Sequence, residues 1–254
     1  TPARNQELTA KIAGFHARLL SQKNIPCYTQ ENFDDFYYGK GSTYPDVQGA
    51  IGILFEQASS RGTAQDTENG VLTFPYSIRS QVLASLATLD AVKDMRVELN
   101  EYLRDFFKSA VEEARKSDIK GYIFADGDIP ARSFLELLGK HHIRVQSLQE
   151  NMNVNGRTYQ SGHAFFVPTE QAQYRLVRGI FERTTSFQDS IFYDISAWTL
   201  PDAFGLDWAP VPAKNFNGRA LQEGVAIVSL NPPAVIDGGI PYAFAIPPTG
   251  YEYP

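Results

Sequence analysis

The stretch IKGYIFADGDIPARSFLELLGKHHIRVQSL, residues 119–148, decides the fold class of this chain. Residues 119–125 form an apolar run that is typical of a buried strand, and residues 131–140 place apolar side chains at helical spacing. Residues 143–148 are predicted to form a second strand. This order predicts a βαβ unit, in which a right-handed crossover joins two strands of a parallel sheet. The sequence therefore predicts an α/β fold.

The turn between the first of these strands and the helix argues against a nucleotide site. Ligands of open α/β sheets bind where strands end, and the turn 126–130 is at such a place. It lacks the three-glycine phosphate fingerprint, and Asp128 fits the N-cap of the helix instead. Asp126 and Asp128 have no third ligand at useful spacing, so a metal site is not supported here either.

Helical patterns dominate the first half of the chain. Residues 9–22 carry apolar side chains at helical spacing, and two further helical patterns cover residues 74–107. Pro75 suits a helix start, and three leucines line one face of the helix that follows: Leu83, Leu86 and Leu89. Residues 94–116 are amphipathic, which predicts a helix that packs back on a sheet or leads to the next part of the chain.

A second informative stretch is GAIGILFEQASSRG, residues 49–62, which carries one carboxylate at the end of an apolar run. The pattern predicts a buried strand that ends at Glu56 and passes into a loop. Burying an unpaired carboxylate is costly, and Arg61 is the nearest candidate partner. Glu56 is therefore either a catalytic group at a strand end or a structural acid paired with Arg61.

This region resembles the closing segment of zinc carboxypeptidases of the carboxypeptidase A type. The similarity lies in Phe55-Glu56, in the small and polar turn that leads to Gly62, and in the sequence LTFP at residues 72–75. Upstream, the sequence FYYGKGSTY at residues 36–44 resembles the family's flexible loop, which brings a tyrosine over the substrate. The resemblance implies that residues 1–95 are the end of a mixed sheet with helices.

The resemblance assigns roles to three residues, and it implies that the arginine that clamps the substrate carboxylate lies outside this chain. Glu56 matches the general base that activates zinc-bound water. Tyr37 is the best match to the substrate-covering tyrosine, and Tyr38 is the alternative. Arg61 is the candidate substrate-binding residue, and pairing with Glu56 is its alternative role.

Downstream segments point to one branch of the family. Gly121–Phe124, Gly162–Thr169 and Phe192–Pro201 resemble large bacterial carboxypeptidase-like proteins, whose extra α/β domains include one similar to class I glutamine amidotransferases. This implies a periplasmic or extracellular location in a bacterium. Amidotransferase chemistry needs a cysteine nucleophile, but Cys27, the single cysteine, lies outside any strand-to-helix elbow. We expect Cys27 to be a packed structural thiol.

The zinc half of the family's site is absent from this sequence. A peptidase zinc site of this class needs a His-x-x-Glu pair and a second, distant histidine. None of the four histidines begins such a pair: His16, His141, His142 and His163. Because the chain begins without Met, we expect a fragment whose zinc ligands belong to a missing N-terminal peptidase portion of the same protein. The alternative is a degenerate relative that never bound zinc.

Composition and segment boundaries complete the prediction. A net charge of -6 with dispersed basic residues argues against nucleic acid, and no apolar run reaches the length of a membrane span. The predicted parts are residues 1–95 as the end of the carboxypeptidase-like domain, 96–116 as a helical connector, 117–212 as an α/β accessory domain, and 213–254 as a Pro/Gly-rich linker with the start of a further domain.

The functional expectation follows from the resemblance. It implies that the parent protein is a zinc metallocarboxypeptidase, which hydrolyses C-terminal peptide bonds of peptides or proteins. The chain alone is expected to be inactive because it lacks the zinc-binding motif. The alternative is a noncatalytic α/β module that binds a ligand or serves as a scaffold.

Overall fold

The computed structural model describes residues 1–29, 37–127, 129–185 and 199–223. The chain divides into two compact units: unit 1 holds the described residues up to Phe107, and unit 2 holds those from Lys108 onward. Asp128, residues 192–198 of the third downstream segment, and the part of the 213–254 region after residue 223 lie outside the described residues. No helix in the described ranges is long and apolar enough to cross a membrane.

Unit 1 is built mainly from helices, as the periodicity predicts. Its elements are α1 (Arg4–Gln22), a 3-10 helix (Pro45–Gln48), strand β1 (Ala64–Thr67), strand β2 (Gly70–Thr73), α2 (Phe74–Asp94) and the first part of α3 (Arg96–Lys116), which continues into unit 2. The two strands pair as an antiparallel hairpin.

The start of α2 shows why the helix begins where the sequence predicts. The Thr73 hydroxyl accepts a hydrogen bond from the backbone N–H of Tyr76 at 3.4 Å, which caps the first turn. Pro75 occupies that turn, where its missing N–H costs nothing. The helix start predicted at Pro75 is confirmed.

The face that α2 buries is made of small residues. Ser80, Ala84, Ala87 and Ala91 are buried, and α2 packs against α1. Small side chains let the two helix axes approach closely. Of the three leucines predicted to share a face of this helix, Leu83 is half-buried. Leu86 and Leu89 are exposed.

The core of unit 1 lies between these helices. Six buried side chains form one cluster: Leu8, Ile12, Ala91, Met95, Tyr102 and Phe106. Ile51 and Ile53 pack against it from the segment that follows the 3-10 helix. The apolar run at residues 49–56 therefore contributes to the core, although it does so without forming a strand.

The predicted strand at residues 49–56 is wrong, and the backbone explains why. Gly49 ends the 3-10 helix in the left-handed region, with φ of 73°, and turns the chain away from an extended path. The N–H of Gly52 then donates to the Asp46 carboxylate at 2.8 Å instead of to a neighbouring strand. The Ala50 N–H likewise donates to the Pro45 carbonyl at 2.9 Å, so the start of the segment bonds locally, and the segment is irregular.

Unit 2 is an α/β unit. Its further elements are β3 (Ile119–Ala125), α4 (Ile129–Lys140), β4 (Gln146–Leu148), β5 (Met152–Val154), β6 (Arg157–Tyr159), β7 (Ala164–Pro168), α5 (Tyr174–Phe181), α6 (Leu200–Ala203), β8 (Trp208–Pro212) and β9 (Leu221–Glu223). The predicted strand, helix and strand of residues 119–148 are confirmed as β3, α4 and β4.

The five-stranded sheet of unit 2 has the order β8-β3-β7-β4-β9, and all its neighbours are antiparallel. The predicted parallel sheet is therefore wrong. The strands β3 and β4 do run in the same direction, but β7 lies between them and pairs with both. The arrangement is a split βαβ unit, in which a later strand fills the gap left by the crossover.

Aromatic packing holds helices against this sheet. Phe124 of β3 meets Phe134 of α4 edge to face at 5.4 Å between ring centroids. Tyr122 stacks on Phe181 of α5 at 4.3 Å, and Phe181 also contacts Phe134. Aromatic pairs of this geometry stabilise beyond the area that they bury. These contacts cover one face of β3, and Ile123 on the other face belongs to a buried cluster with Met152 and Val154. Residues 121–124 are therefore buried on both faces of the strand.

We expect Gly121→Ala to destabilise unit 2. A Cβ at this position in β3 would overlap the Phe166 ring and the Val167 carbonyl oxygen, so the sheet must shift to make room. Overpacking of this kind costs about 2 kcal/mol of unfolding free energy. The measurement is urea unfolding followed by the fluorescence of Trp208, which belongs to the same unit.

The matched control is Gly127→Ala, where a Cβ meets nothing closer than 4.0 Å. This variant should unfold close to the original midpoint. Equal midpoints for the two variants would contradict the steric explanation.

Candidate functional site

The four residues that the sequence singles out all lie in unit 1, between α1 and β1. Tyr37 and Tyr38 are half-buried, whereas Glu56 and Arg61 are exposed. None of them belongs to a helix or a strand. The site is therefore carried by irregular backbone, and its geometry depends on what holds that backbone in place.

One carboxylate joins the 3-10 helix that directly follows the tyrosine loop to the Glu56 segment. Asp46 Oδ1 accepts hydrogen bonds from the Gly52 N–H at 2.8 Å and from Asn5 Nδ2 at 2.9 Å. Asn5 Nδ2 also donates to the Ala50 carbonyl at 3.3 Å. The loop, the segment and the start of α1 are thereby tied together.

Close backbone contact reinforces this connection. Gly52 passes so near to Ser42 that a Cβ at Gly52 would overlap the Ser42 carbonyl oxygen. Only glycine leaves room for this crossing, which explains why a glycine interrupts the apolar run. The crossing places the backbone of the tyrosine loop against the segment that leads to Glu56.

The two tyrosines face each other within their loop. Their ring centroids are 5.2 Å apart, with the rings tilted by 50°. Burial raises the pKa of the Tyr38 phenol well above its usual range, and the neighbouring Tyr37 raises it further. Tyr38 therefore keeps its proton at physiological pH and remains a hydrogen-bond donor.

Glu56 and Arg61 do not form the ion pair proposed as an alternative. In the described ranges, the structure shows no salt bridge or hydrogen bond between their side chains. Arg61 sits in a tight turn, with φ of 46° and its N–H donating to Ser59 Oγ at 3.0 Å. Both charged groups point to solvent and are accessible to a ligand.

An apolar cavity of about 420 Å³ lies next to Glu56. Ile51, Ile53 and Phe55 of the irregular segment line it, and α1, α2 and α3 supply the other walls. Its size falls within the range of small-molecule sites. Glu56 follows Phe55 directly but does not line the cavity.

His16 is a residue of this region that sequence reasoning did not assign. Its ring meets Phe55 edge to face at 4.8 Å, and Nε2 lies 2.8 Å from the Thr88 hydroxyl. Burial lowers its pKa below the usual value. The sequence feature that indicates burial of His16 is its spacing of four residues from Ile12 and eight from Leu8, which places all three on the buried face of α1.

The described residues do not form a zinc site on their own. No group of three or more His, Cys, Asp or Glu side chains in the described part of the chain is arranged to hold a metal. His16 is occupied by Thr88 and Phe55, and the other three histidines belong to unit 2. Cys27, expected to be packed, is instead exposed, because the chain after α1 runs along the surface.

We expect Gly52→Ala to disturb the connection between the tyrosine loop and Glu56. The added methyl group must displace the Ser42 backbone, and the hydrogen bond from Gly52 to Asp46 must lengthen. The amide of residue 52 should then exchange with solvent at least about tenfold faster, as measured by hydrogen–deuterium exchange. Gly41→Ala is the control, because a Cβ there meets nothing within 4 Å. An unchanged exchange rate in Gly52→Ala would contradict this account.

We also expect His16 to make unit 1 less stable in mild acid. Its folded-state pKa is lowered by burial, so the unfolded chain takes up a proton first as pH falls below about 6.5. The unfolding free energy should therefore decrease from about pH 7 to about pH 5.5. Urea unfolding followed by circular dichroism should show less of this decrease in His16→Gln. The control His163→Gln, at an exposed position, should retain it.

Comparison with known proteins adds no relative to this picture. No family model matches the chain, and neither a curated protein nor a solved structure shows significant similarity to it.

Proposed function

We propose that this chain supplies the general base and the substrate-covering tyrosines of a zinc-dependent metallocarboxypeptidase, which hydrolyses the C-terminal peptide bond of a peptide or protein. The zinc ion and its ligands are assigned to residues other than those described here. The roles of Glu56 and the tyrosines are those that the resemblance implies, and Arg61 is added as a candidate substrate-binding residue of this chain.

The observation that carries the proposal is the accessible carboxylate of Glu56. It has no ion pair in the described ranges, and its segment is fixed to the tyrosine loop through Asp46 and Gly52. An accessible carboxylate on an anchored segment is suited to general-base catalysis. Glu56 would accept a proton from the attacking water at a carboxylate oxygen and later deliver it to the leaving amine.

The tyrosines and Arg61 would bind the substrate. A tyrosine phenol is protonated at neutral pH, and either Tyr37 or Tyr38 would donate a hydrogen bond to the terminal carboxylate or to the developing oxyanion. The Arg61 guanidinium is exposed and unpaired within the described ranges, so it is available to a carboxylate. Both features suit a substrate with a free C-terminus.

A second candidate is a noncatalytic α/β binding or scaffold module of a degenerate peptidase relative. The apolar cavity beside Phe55 favours this alternative, because its lining is suited to an apolar ligand. In that case Glu56 would have no chemical role, and binding would depend on the cavity walls.

The experiment is to measure zinc content and C-terminal residue release with the native protein that carries this chain. Glu56→Gln should lower kcat by about 10³-fold while zinc content stays the same, because only the proton acceptor is lost. Glu68→Gln, at another exposed acid, is the control and should retain full activity. Peptides with an amidated C-terminus should be poor substrates for every variant.

Two further variants separate the tyrosines. Either Tyr37→Phe or Tyr38→Phe should lower kcat by about 10- to 100-fold, and the affected one identifies the donor. Full activity in Glu56→Gln would refute the catalytic assignment. A protein that holds no zinc and cleaves no peptide would support the binding module.

A further inference from the structure

Helix α2 has two apolar faces, and the packing of unit 1 uses one of them. The small residues Ser80, Ala84, Ala87 and Ala91 are buried. At about 100° per residue, large apolar side chains fall on the opposite side of the helix. We name this surface the α2 stripe, and its members are Phe74, Ile78, Val82, Leu86 and Leu89.

The α2 stripe is exposed along its whole length. Its five side chains have relative exposures between 49% and 65%. Side chains of this size at about half exposure leave roughly 500 Å² of apolar surface uncovered, which is at the upper end for a monomeric protein. A continuous patch of this extent is typical of an interaction surface.

The area is sufficient for a pairing between two copies. Two such stripes in contact would bury about 1,000 Å² in total, near the lower limit for a specific interface. A twofold pairing uses the same patch on both partners, so one exposed stripe is enough. This size predicts a weak dimer with a dissociation constant in the micromolar range.

The charges beside the stripe fit an antiparallel pairing. Arg79 and Asp90 lie about three turns apart, so they occupy the same flank of α2. Neither forms a salt bridge within the described part of the chain. When two helices pair around a twofold axis between Ala84 and Ser85, Arg79 of one copy lies level with Asp90 of the other.

The apolar contacts agree with the same register. Val82 of one copy lies close to the level of Leu86 of the other, and Ile78 lies close to the level of Leu89. Opposite charges at the rim fix orientation and register more than they add affinity. The stripe and its flank therefore specify one antiparallel arrangement.

We propose that the α2 stripe binds a second copy of this chain through an antiparallel pair of α2 helices. The full chain should be studied by sedimentation velocity from about 1 µM to about 200 µM. The weight-average mass should rise toward twice the monomer mass. Leu86→Glu should raise the dissociation constant at least about tenfold, because it places a charge in the centre of the interface.

The matched control is Val97→Glu. Val97 is also an exposed apolar residue, but it lies on α3 outside the stripe. This variant should associate like the original chain, and circular dichroism should show that both variants keep their helices. A chain that stays monomeric throughout the concentration range, or equal association in the two variants, would overturn the proposal and assign the stripe to another partner.

A charge exchange tests the antiparallel register directly. Arg79→Asp and Asp90→Arg should each weaken self-association, because like charges then face each other at both ends of the pair. Mixing these two single variants should restore association, since each opposite pair forms between the two copies. The effect should be larger at low salt. Failure of the mixture to associate better than either variant alone would refute this register.

Discussion

The candidate site depends on the carboxylate of Asp46. By accepting hydrogen bonds from the Gly52 N–H and the Asn5 side chain, it fixes a loop, an irregular segment and a helix start at one point. None of the four proposed functional residues has regular secondary structure to hold it. The hydrogen bonds to the Asp46 carboxylate therefore position this segment, as hydrogen bonds between strands do in sites built on a sheet. The close approach of the Gly52 and Ser42 backbones adds a second contact, which only glycine at position 52 allows.

In helix α2, small residues and large apolar residues lie on different faces and have different roles. Its alanines and serine determine how closely it approaches α1, and its large aliphatic residues remain available for contacts outside unit 1. A helix that is apolar on opposite sides is usually enclosed between two layers. Here the described residues supply one of these layers, and the second face is open.

The helices and the first strand of unit 2 were predictable because their signals are local. The spacing of apolar residues predicted α2 and α3, and the mainly apolar sequence of residues 119–125 predicted β3. Sheet topology was not predictable in the same way, since β7 enters between β3 and β4 from a distance along the chain. The strand expected at 49–56 failed because periodicity does not register a side-chain acceptor such as Asp46. Periodicity also gives no information about contacts between distant side chains. The contact between His16 and Phe55 could therefore not be predicted from the sequence.

Among the described residues, the sheet of unit 2 ends on one side with β8, whose sequence is Trp-Ala-Pro-Val-Pro. Pro210 and Pro212 have no N–H group, so the outer edge of this strand offers few donors to an approaching strand. Exposed edges with a full set of donors are the usual templates for strand addition and amyloid growth. The proline pair therefore limits strand addition at this edge, because the positions that would donate to a new strand lack an N–H group.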